Sequence, residues 1–235
     1  MAKRYDMIVV GAGPAGFLAA KAARGNRLDV ALLERKPDPT QLTRACGQSL
    51  ISMNEYFFKD IVGYNARDKW LFFPVYGFSF KYDGPYQNIY SRQTYTANGH
   101  KVQAGDGKEQ RKNGDHGRIG LTFDKEILFQ CLLEEVKACC VDVFSGINVQ
   151  NVTATADGVR VEGSGQSFDG SYVIAADGAN SQVAEVTGYN KDRTYYFNLY
   201  GLSWYMPGVE LPEPNTAISS YGLPQGIATM LFLVP

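Results

Sequence analysis

The run Gly11-Ala-Gly-Pro-Ala-Gly16, set directly after the apolar stretch Met7-Ile-Val-Val10, constrains this chain more than any other part of it. A strand that ends on spaced glycines can turn tightly into a helix, here predicted over Pro14 to Arg24. The N-terminus of that helix then faces the turn, where its dipole and backbone N–H groups attract pyrophosphate. Gly11 serves the turn, Gly13 admits phosphate close to the backbone, and Gly16 lets helix and strand pack tightly. Pro14 and Ala15 complete the cradle. Glu34 closes the second predicted strand, Leu28 to Leu33, near the ~20-residue offset at which an acid accepts hydrogen bonds from ribose hydroxyls, and Arg35 follows it. A glutamate rather than an arginine there argues against a 2′-phosphate and so against NADP.

The 235 residues exceed one average domain and fall short of two comfortable ones. With 23 basic and 24 acidic side chains, a formal net charge of −1 provides no broad field to gather nucleic acid or anionic lipid. No apolar run approaches the ~20 residues of a membrane span, and the chain enters a strand at once, without the order of a secretion signal. The expectation is a soluble, cytoplasmic protein with no nucleic-acid partner and no transmembrane segment. Cys46, Cys131, Cys139 and Cys140 show no C-x-x-C spacing and only His100 and His116 accompany them, so no metal site is expected. Cys131, Cys139 and Cys140 read as small buried hydrophobes.

Along the chain the pattern predicts a strand over 5–10, the helix over 14–24, a strand over 28–33 and a short helix within 50–58. From Trp70 to Ser91 aromatic residues partly alternate around Asp83-Gly84-Pro85, which reads as a hairpin in a different sheet. Residues 97–117 are polar, with two Asn-Gly pairs, and read as a mobile surface segment. Helical spacing resumes from Phe123 to Lys137, followed by strands near 141–145, 147–154, 158–162 and 171–175, the middle pair joined at Ala156-Asp157-Gly158. A helix follows Asp177-Gly178, alternation returns from Tyr195 to Met206, and Ile227 to Pro235 reads as a closing strand.

A second motif, Val173-Ile-Ala-Ala-Asp177-Gly178-Ala-Asn-Ser181, delivers an aspartate and a glycine at the carboxyl end of a buried strand, where ligands meet open α/β sheets. Asp177 can accept bonds from sugar hydroxyls, or it can cap the helix that follows. The two motifs together resemble the FAD-dependent superfamily of aromatic hydroxylases and geranylgeranyl reductases, which share the glutathione-reductase-type FAD fold, over nearly the whole chain. The resemblance implies FAD as cofactor, with backbone near Val149 against the adenine. It implies an α/β fold, α+β overall, in which a Rossmann-like parallel sheet and a β-meander form the FAD-binding domain, residues 1–69 and 118–190. A mainly antiparallel β substrate domain, 70–117 and 191–235, interrupts it. Arg44-Ala45-Cys46-Gly47 is similar to the Cys-Gly element that lies beside the flavin in the geranylgeranyl reductase branch, which makes Cys46 a candidate proton donor or packing residue.

Gly120 stands where the branch carries an arginine, with Arg118 the nearest one. The branch's third element, a Gly-Asp at a later helix start, has no counterpart: Gly105-Asp106 and Gly114-Asp115 come too early. A shortened chain is expected on that ground. The terminal Gly226 to Pro235 loosely resembles a substrate-domain strand of the branch. Because a flavin carries its own redox chemistry, few ionisable catalytic side chains are needed. The substrate-side candidates are Cys46, Phe72, Phe73, Tyr76, Phe78, Phe80, Tyr196, Trp204 and Tyr205, although aromatic stripes in strands are commonly core.

The readings are a reductase of carbon–carbon double bonds in an apolar, isoprenoid-like small molecule, a flavin-dependent monooxygenase or halogenase, and a noncatalytic nucleotide-binding fragment. The electron donor would be NAD(P)H or a protein. An NAD-dependent dehydrogenase ranks last, because the nucleotide fold breaks at Trp70 and resumes near Phe123.

Overall fold

The computed structural model describes residues 3–43, 46–50, 62–196, 200–222 and 229–235. Among them, in chain order, are β1 (Arg4–Val10), α1 (Pro14–Gly25), β2 (Val30–Glu34), β3 (Ser49–Leu50), β4 (Gly63–Asn65), β5 (Trp70–Phe73), β6 (Phe78–Lys81), β7 (Tyr86–Ile89), β8 (Ser91–Tyr95) and β9 (Lys101–Ala104). Then come α2 (Gly107–Lys112), β10 (Gly120–Phe123), α3 (Lys125–Ala138), β11 (Asp142–Ser145), β12 (Val149–Thr155), β13 (Gly158–Gly163), β14 (Gln166–Ala175), α4 (Gln182–Val186), β15 (Thr216–Gly222) and β16 (Thr229–Leu233). The helix expected within 50–58 and part of the stretch from Gly226 lie outside the described residues.

Two compact units emerge, Met1–Thr43 with Glu126–Leu199, and Arg44–Lys125 with Tyr200–Pro235. The chain leaves the first unit at Thr43, ahead of the expected Trp70. The reason is that β3 already pairs with β10, and β4 with β5, inside the second unit.

The first unit is built on a six-stranded sheet in the order β11-β2-β1-β14-β13-β12. Its four strands β11, β2, β1 and β14 are parallel, and β13 and β12 continue it antiparallel as a meander. Parallel strands covered on both faces need apolar residues at successive positions. Ile8-Val9-Val10 and Val30-Ala31-Leu32-Leu33 supply them, all buried. Below, Phe17 on α1 meets Phe129 on α3 edge to face, with ring centroids 6.1 Å apart, and Lys21 pairs with Glu135 at 2.6 Å. On the other face Tyr5, Ile147, Val149, Val161, Phe168 and Val183 form a continuous core with Ile8 and Leu33. Each large apolar side chain so buried contributes roughly 1.5–3 kcal/mol.

The meander is longer than expected, because β14 begins at Gln166 after a tight turn in which Ser164 and Gly165 have φ of 50° and 74°. Successive positive φ values match the right-handed strand twist of a two-residue hairpin. The cysteines in and just after α3 depart from expectation too: Cys131 and Cys139 are half-buried, and Cys140 is exposed with φ of 62° where the helix ends.

The second unit holds three small sheets, β3-β10-β7, β16-β15-β8-β9 and β4-β5-β6. Asp83-Gly84-Pro85 is not a hairpin turn. β6 pairs back onto β5, and β7 pairs with β10, so the chain changes sheets there. The segment 97–117 is regular: β9 pairs with β8, and the Asp106 carboxylate caps α2 by accepting from the N–H groups of Lys108 and Glu109 at 2.9 and 3.2 Å. The alternation expected from Tyr195 to Met206 forms no strand among the described residues, and Tyr196, Trp204 and Tyr205 are exposed.

Candidate functional site

Three chain segments meet at the carboxyl ends of the parallel strands of the first unit. Val10 at the end of β1 lies in register with Ala175 at the end of β14, and the N–H of Ala176 donates to the Val10 carbonyl at 2.8 Å. The two motifs therefore leave adjacent strands side by side. Between β11 and β12 the chain returns to the same edge, where the Ile147 N–H donates to the Glu34 carbonyl at 2.9 Å and the Gly146 N–H to that of Lys36 at 3.0 Å. Val149, two residues on, is buried at the start of β12.

The glycines of the first motif divide into two kinds. Gly11 has φ of 102°, and a Cβ there would lie 2.5 Å from the Ala176 carbonyl oxygen. A Cβ on Gly16 would fall 1.8 Å from the Gly11 carbonyl oxygen. Both positions are closed by the protein itself. Gly13 differs: its φ of −84° and ψ of 179° suit any residue, and a Cβ would meet nothing within 4 Å. Nothing in the fold calls for glycine at 13.

Just beyond Gly13, α1 begins with Pro14, which lacks an N–H. The helix has no side-chain cap and no acid in its first turn, and Pro14 and Ala15 are exposed. The positive end of the helix dipole is thus left for an anion from outside.

Glu34 is buried, 5% exposed, and both of its oxygens are engaged: Oε2 accepts from the Ala12 N–H at 2.6 Å and Oε1 from the Lys36 N–H at 2.9 Å. It locks the glycine turn to the end of β2. A carboxylate offers about four acceptor sites, so two bonds leave capacity for hydroxyl donors. Arg35 follows it, exposed.

Asp177 is engaged as well, accepting from Ser181 Oγ at 2.6 Å and from the Val183 N–H at 3.1 Å, while Ser181 Oγ caps α4 by accepting from the Ala184 N–H. It fixes the start of α4, one of the two roles expected of it. Gly178, with φ of 94°, is exposed beside it, and the Arg193 guanidinium holds the turn by donating to the Ala179 carbonyl at 3.0 Å.

The second unit carries the remaining candidates. Cys46 is half-buried and free, and its Sγ accepts from the Gln48 N–H at 3.4 Å. A Cβ on Gly47 would sit 3.8 Å from Phe232. Arg44 and Ala45 lie outside the described residues. Phe73 stacks on Phe78 at 4.4 Å and on the buried Phe80 at 6.1 Å, whereas Phe72 and Tyr76 are exposed. Arg118 is buried with all its bonds inside this unit, donating to Asp115 O, Asn88 Oδ1 and Tyr64 O at 3.0, 3.0 and 2.8 Å. Sequence spacing missed the 146–147 return, since a loop that touches Glu34 through main-chain atoms leaves no mark on residue type. Among the described residues no group of three or more His, Cys, Asp or Glu side chains could hold a metal, and no helix is long and apolar enough to cross a membrane.

A parallel sheet with a meander, a glycine turn into a helix and a second loop beside it define the dinucleotide-binding class of oxidoreductases. The sequence profile of the pyridine nucleotide-disulphide oxidoreductases matches residues 5–200, and the chain belongs to that family. It is 26% identical over 189 residues to the digeranylgeranylglycerophospholipid reductase of Methanosarcina acetivorans, which covers 78% of this chain and 40% of that protein. It is 25% identical over 196 residues to the protein of the same name from Methanosarcina mazei, 80% and 41% of the two chains. The chain thus spans about two fifths of the length of these curated relatives.

Among solved structures it is similar to a geranylgeranyl bacteriochlorophyll reductase-like protein from Thermoplasma acidophilum, with a TM-score of 0.61, 16% identity, and coverage of 94% of this chain and 51% of that one. The flavin-dependent monooxygenase PieE, solved with FAD and substrate, has a TM-score of 0.51 at 21% identity over 79% of this chain and 32% of that one. These likenesses show the fold, which is that of the FAD-dependent oxidoreductases.

Proposed function

We propose that this chain binds FAD and serves the reduction of carbon–carbon double bonds in an apolar, isoprenoid-like small molecule. The observation that carries the first half is Gly13: a glycine required by neither backbone angle nor packing, at the uncapped start of α1, is accounted for by a pyrophosphate against the backbone. In this reading the N–H groups of the first turn of α1 receive the pyrophosphate, Glu34 accepts from the ribose of the adenosine half, and Arg35 adds a cation beside it. Backbone near Val149 borders the adenine. Asp177 and Gly178, held rigid by the cap on α4, meet the rest of the dinucleotide. When bound, FAD supplies the hydride or electron transfer, and the protein orients it and excludes water.

The substrate half of the proposal is supported by the curated reductases of Methanosarcina, whose names describe a geranylgeranylated phospholipid. Cys46 is the candidate proton donor. The electron donor in this reading is NAD(P)H or a protein. The test is to purify the full chain, identify the cofactor it retains by absorbance and mass, and supply reductant with a geranylgeranyl substrate under anaerobic conditions. Bound FAD and a product heavier by two hydrogens per bond support the proposal. A flavin-free chain after incubation with excess FAD overturns it, and product hydroxylation in air in place of saturation moves the activity to the monooxygenases.

A further inference from the structure

In the sheet β16-β15-β8-β9, the face that carries Arg92 differs from the one behind it. Behind, Ser91 and Thr216 bond to each other at 2.7 Å, and both are buried with Gln93. On the front, Arg92 lies in register with Ala217 of β15 and Ala104 of β9. Ala217 is buried and Ala104 is exposed, so this face is covered toward β15 and open toward β9. Next along the same face, the hydroxyls of Thr94 and Ser219 lie 3.0 Å apart, and Phe232 of β16 stands opposite Ser219. Phe232 also borders Gly47, so the Cys46-Gly47 segment reaches this face.

Arg92 is half-buried, and its Nε is fully buried with no acceptor among the described residues. Arginine keeps its charge at any physiological pH, and a buried guanidinium N–H without an acceptor is among the more costly defects a fold can carry. The contrast with Arg118, whose every nitrogen finds a partner in the same unit, shows that this chain satisfies a buried arginine where its role is structural.

We propose that Arg92 is an oxyanion-binding residue, taking the phosphate or carboxylate of an otherwise apolar ligand. The planar guanidinium matches two oxygens of such a group side by side, and the half-buried Thr94 hydroxyl lies on the same face. The apolar body of the ligand rests on the function proposed above; the anion site does not.

The experiment uses the flavin-loaded full chain and three probes, geranylgeranyl phosphate, geranylgeraniol and inorganic phosphate, read by tryptophan fluorescence in the parent and in Arg92→Gln and Arg92→Lys. The parent is expected to bind the prenyl phosphate on the order of tenfold or more tighter than the alcohol. Arg92→Gln should abolish that preference while leaving alcohol binding unchanged, and Arg92→Lys should keep part of it. Equal binding of phosphate and alcohol by the parent overturns the proposal without recourse to any variant, as does a preference that survives in Arg92→Gln. If neither prenyl compound binds, direct binding of inorganic phosphate that disappears in Arg92→Gln upholds the anion site and removes the isoprenoid reading. Absence of phosphate binding as well removes both.

Discussion

The carbonyl oxygen of Ala176 occupies the space in which a Cβ on Gly11 would stand, 2.5 Å from its ideal position. The two dinucleotide motifs, separated by most of the chain, are thereby pressed together backbone to backbone. Gly11→Ala would force apart the ends of β1 and β14 and place alanine at φ of 102°. We expect a loss on the order of 3 kcal/mol, from strain and overpacking combined. Urea unfolding of the two proteins measures it, and an unchanged midpoint refutes the close contact.

Gly13→Ala separates binding from folding. The added methyl meets no protein atom within 4 Å, and the backbone angles are ordinary, so stability should stay within about 0.5 kcal/mol of the parent. FAD affinity should fall roughly tenfold or more, the equivalent of ~1.4 kcal/mol or above. Titration of the apoprotein with FAD reads the effect, and full affinity in the variant would place the pyrophosphate elsewhere.

Much of this cradle is legible in the sequence because it is local. A strand, three glycines and a helix lie within Met7 to Arg24, and the acid at Glu34 follows one strand later. The pairing of β7 with β10 is not legible, since Tyr86–Ile89 and Gly120–Phe123 are distant in sequence and carry no mutual signal. Asp83-Gly84-Pro85 has turn chemistry, but turn chemistry does not say which strand the chain meets next. In 97–117 the polar composition hides a local turn signal: Asn98-Gly99, with Gly99 at φ of 79°, is the turn between β8 and β9. The two acids show a further limit. Position in the two motifs marks Glu34 and Asp177 as hydroxyl acceptors, and Asp177 as a helix cap too, whereas nothing in the motif says that Glu34 also holds the glycine turn through main-chain N–H donors.

Tyr5 gives a pH-dependent prediction. Its ring is buried and its hydroxyl donates to Asp142 at 3.0 Å, so burial first, and then the neighbouring carboxylate, push its pKa from 10.0 up to about 12. The folded state holds this proton more tightly than the unfolded chain. The associated stability is complete below pH 10 and is lost as pH rises from 10 toward 12. Tyr5→Phe should remove that part of the alkaline decline, which urea midpoints between the two limits would detect. Identical declines in parent and variant would disprove the coupling.

Arg118 should prove structural. Its guanidinium ties Tyr64 O, Asn88 Oδ1 and Asp115 O together in a buried setting. Arg118→Met leaves those acceptors without their donor, and a destabilisation of roughly 3 kcal/mol is expected. FAD content per folded molecule, measured well below the melting point, should not change. A variant that is stable but depleted of FAD would reverse the assignment.

Cys46 can act through its sulfur chemistry or merely through the turn it supports, and serine and alanine variants separate the two. Its Sγ accepts from the Gln48 N–H, and Gln48 has φ of 46°, a conformation that a side-chain acceptor helps to hold. Serine keeps an acceptor in the same place, whereas alanine removes it. If the thiol donates a proton in turnover, Cys46→Ser and Cys46→Ala should both lower the rate by ~10²-fold or more, with FAD still bound. If the sulfur serves only the turn, serine should retain the parent rate and alanine alone should lose stability, by about 1 kcal/mol. Turnover under saturating reductant, set beside the unfolding midpoint of each variant, decides between them, because a role in the turn moves the midpoint and a role in proton transfer moves the rate.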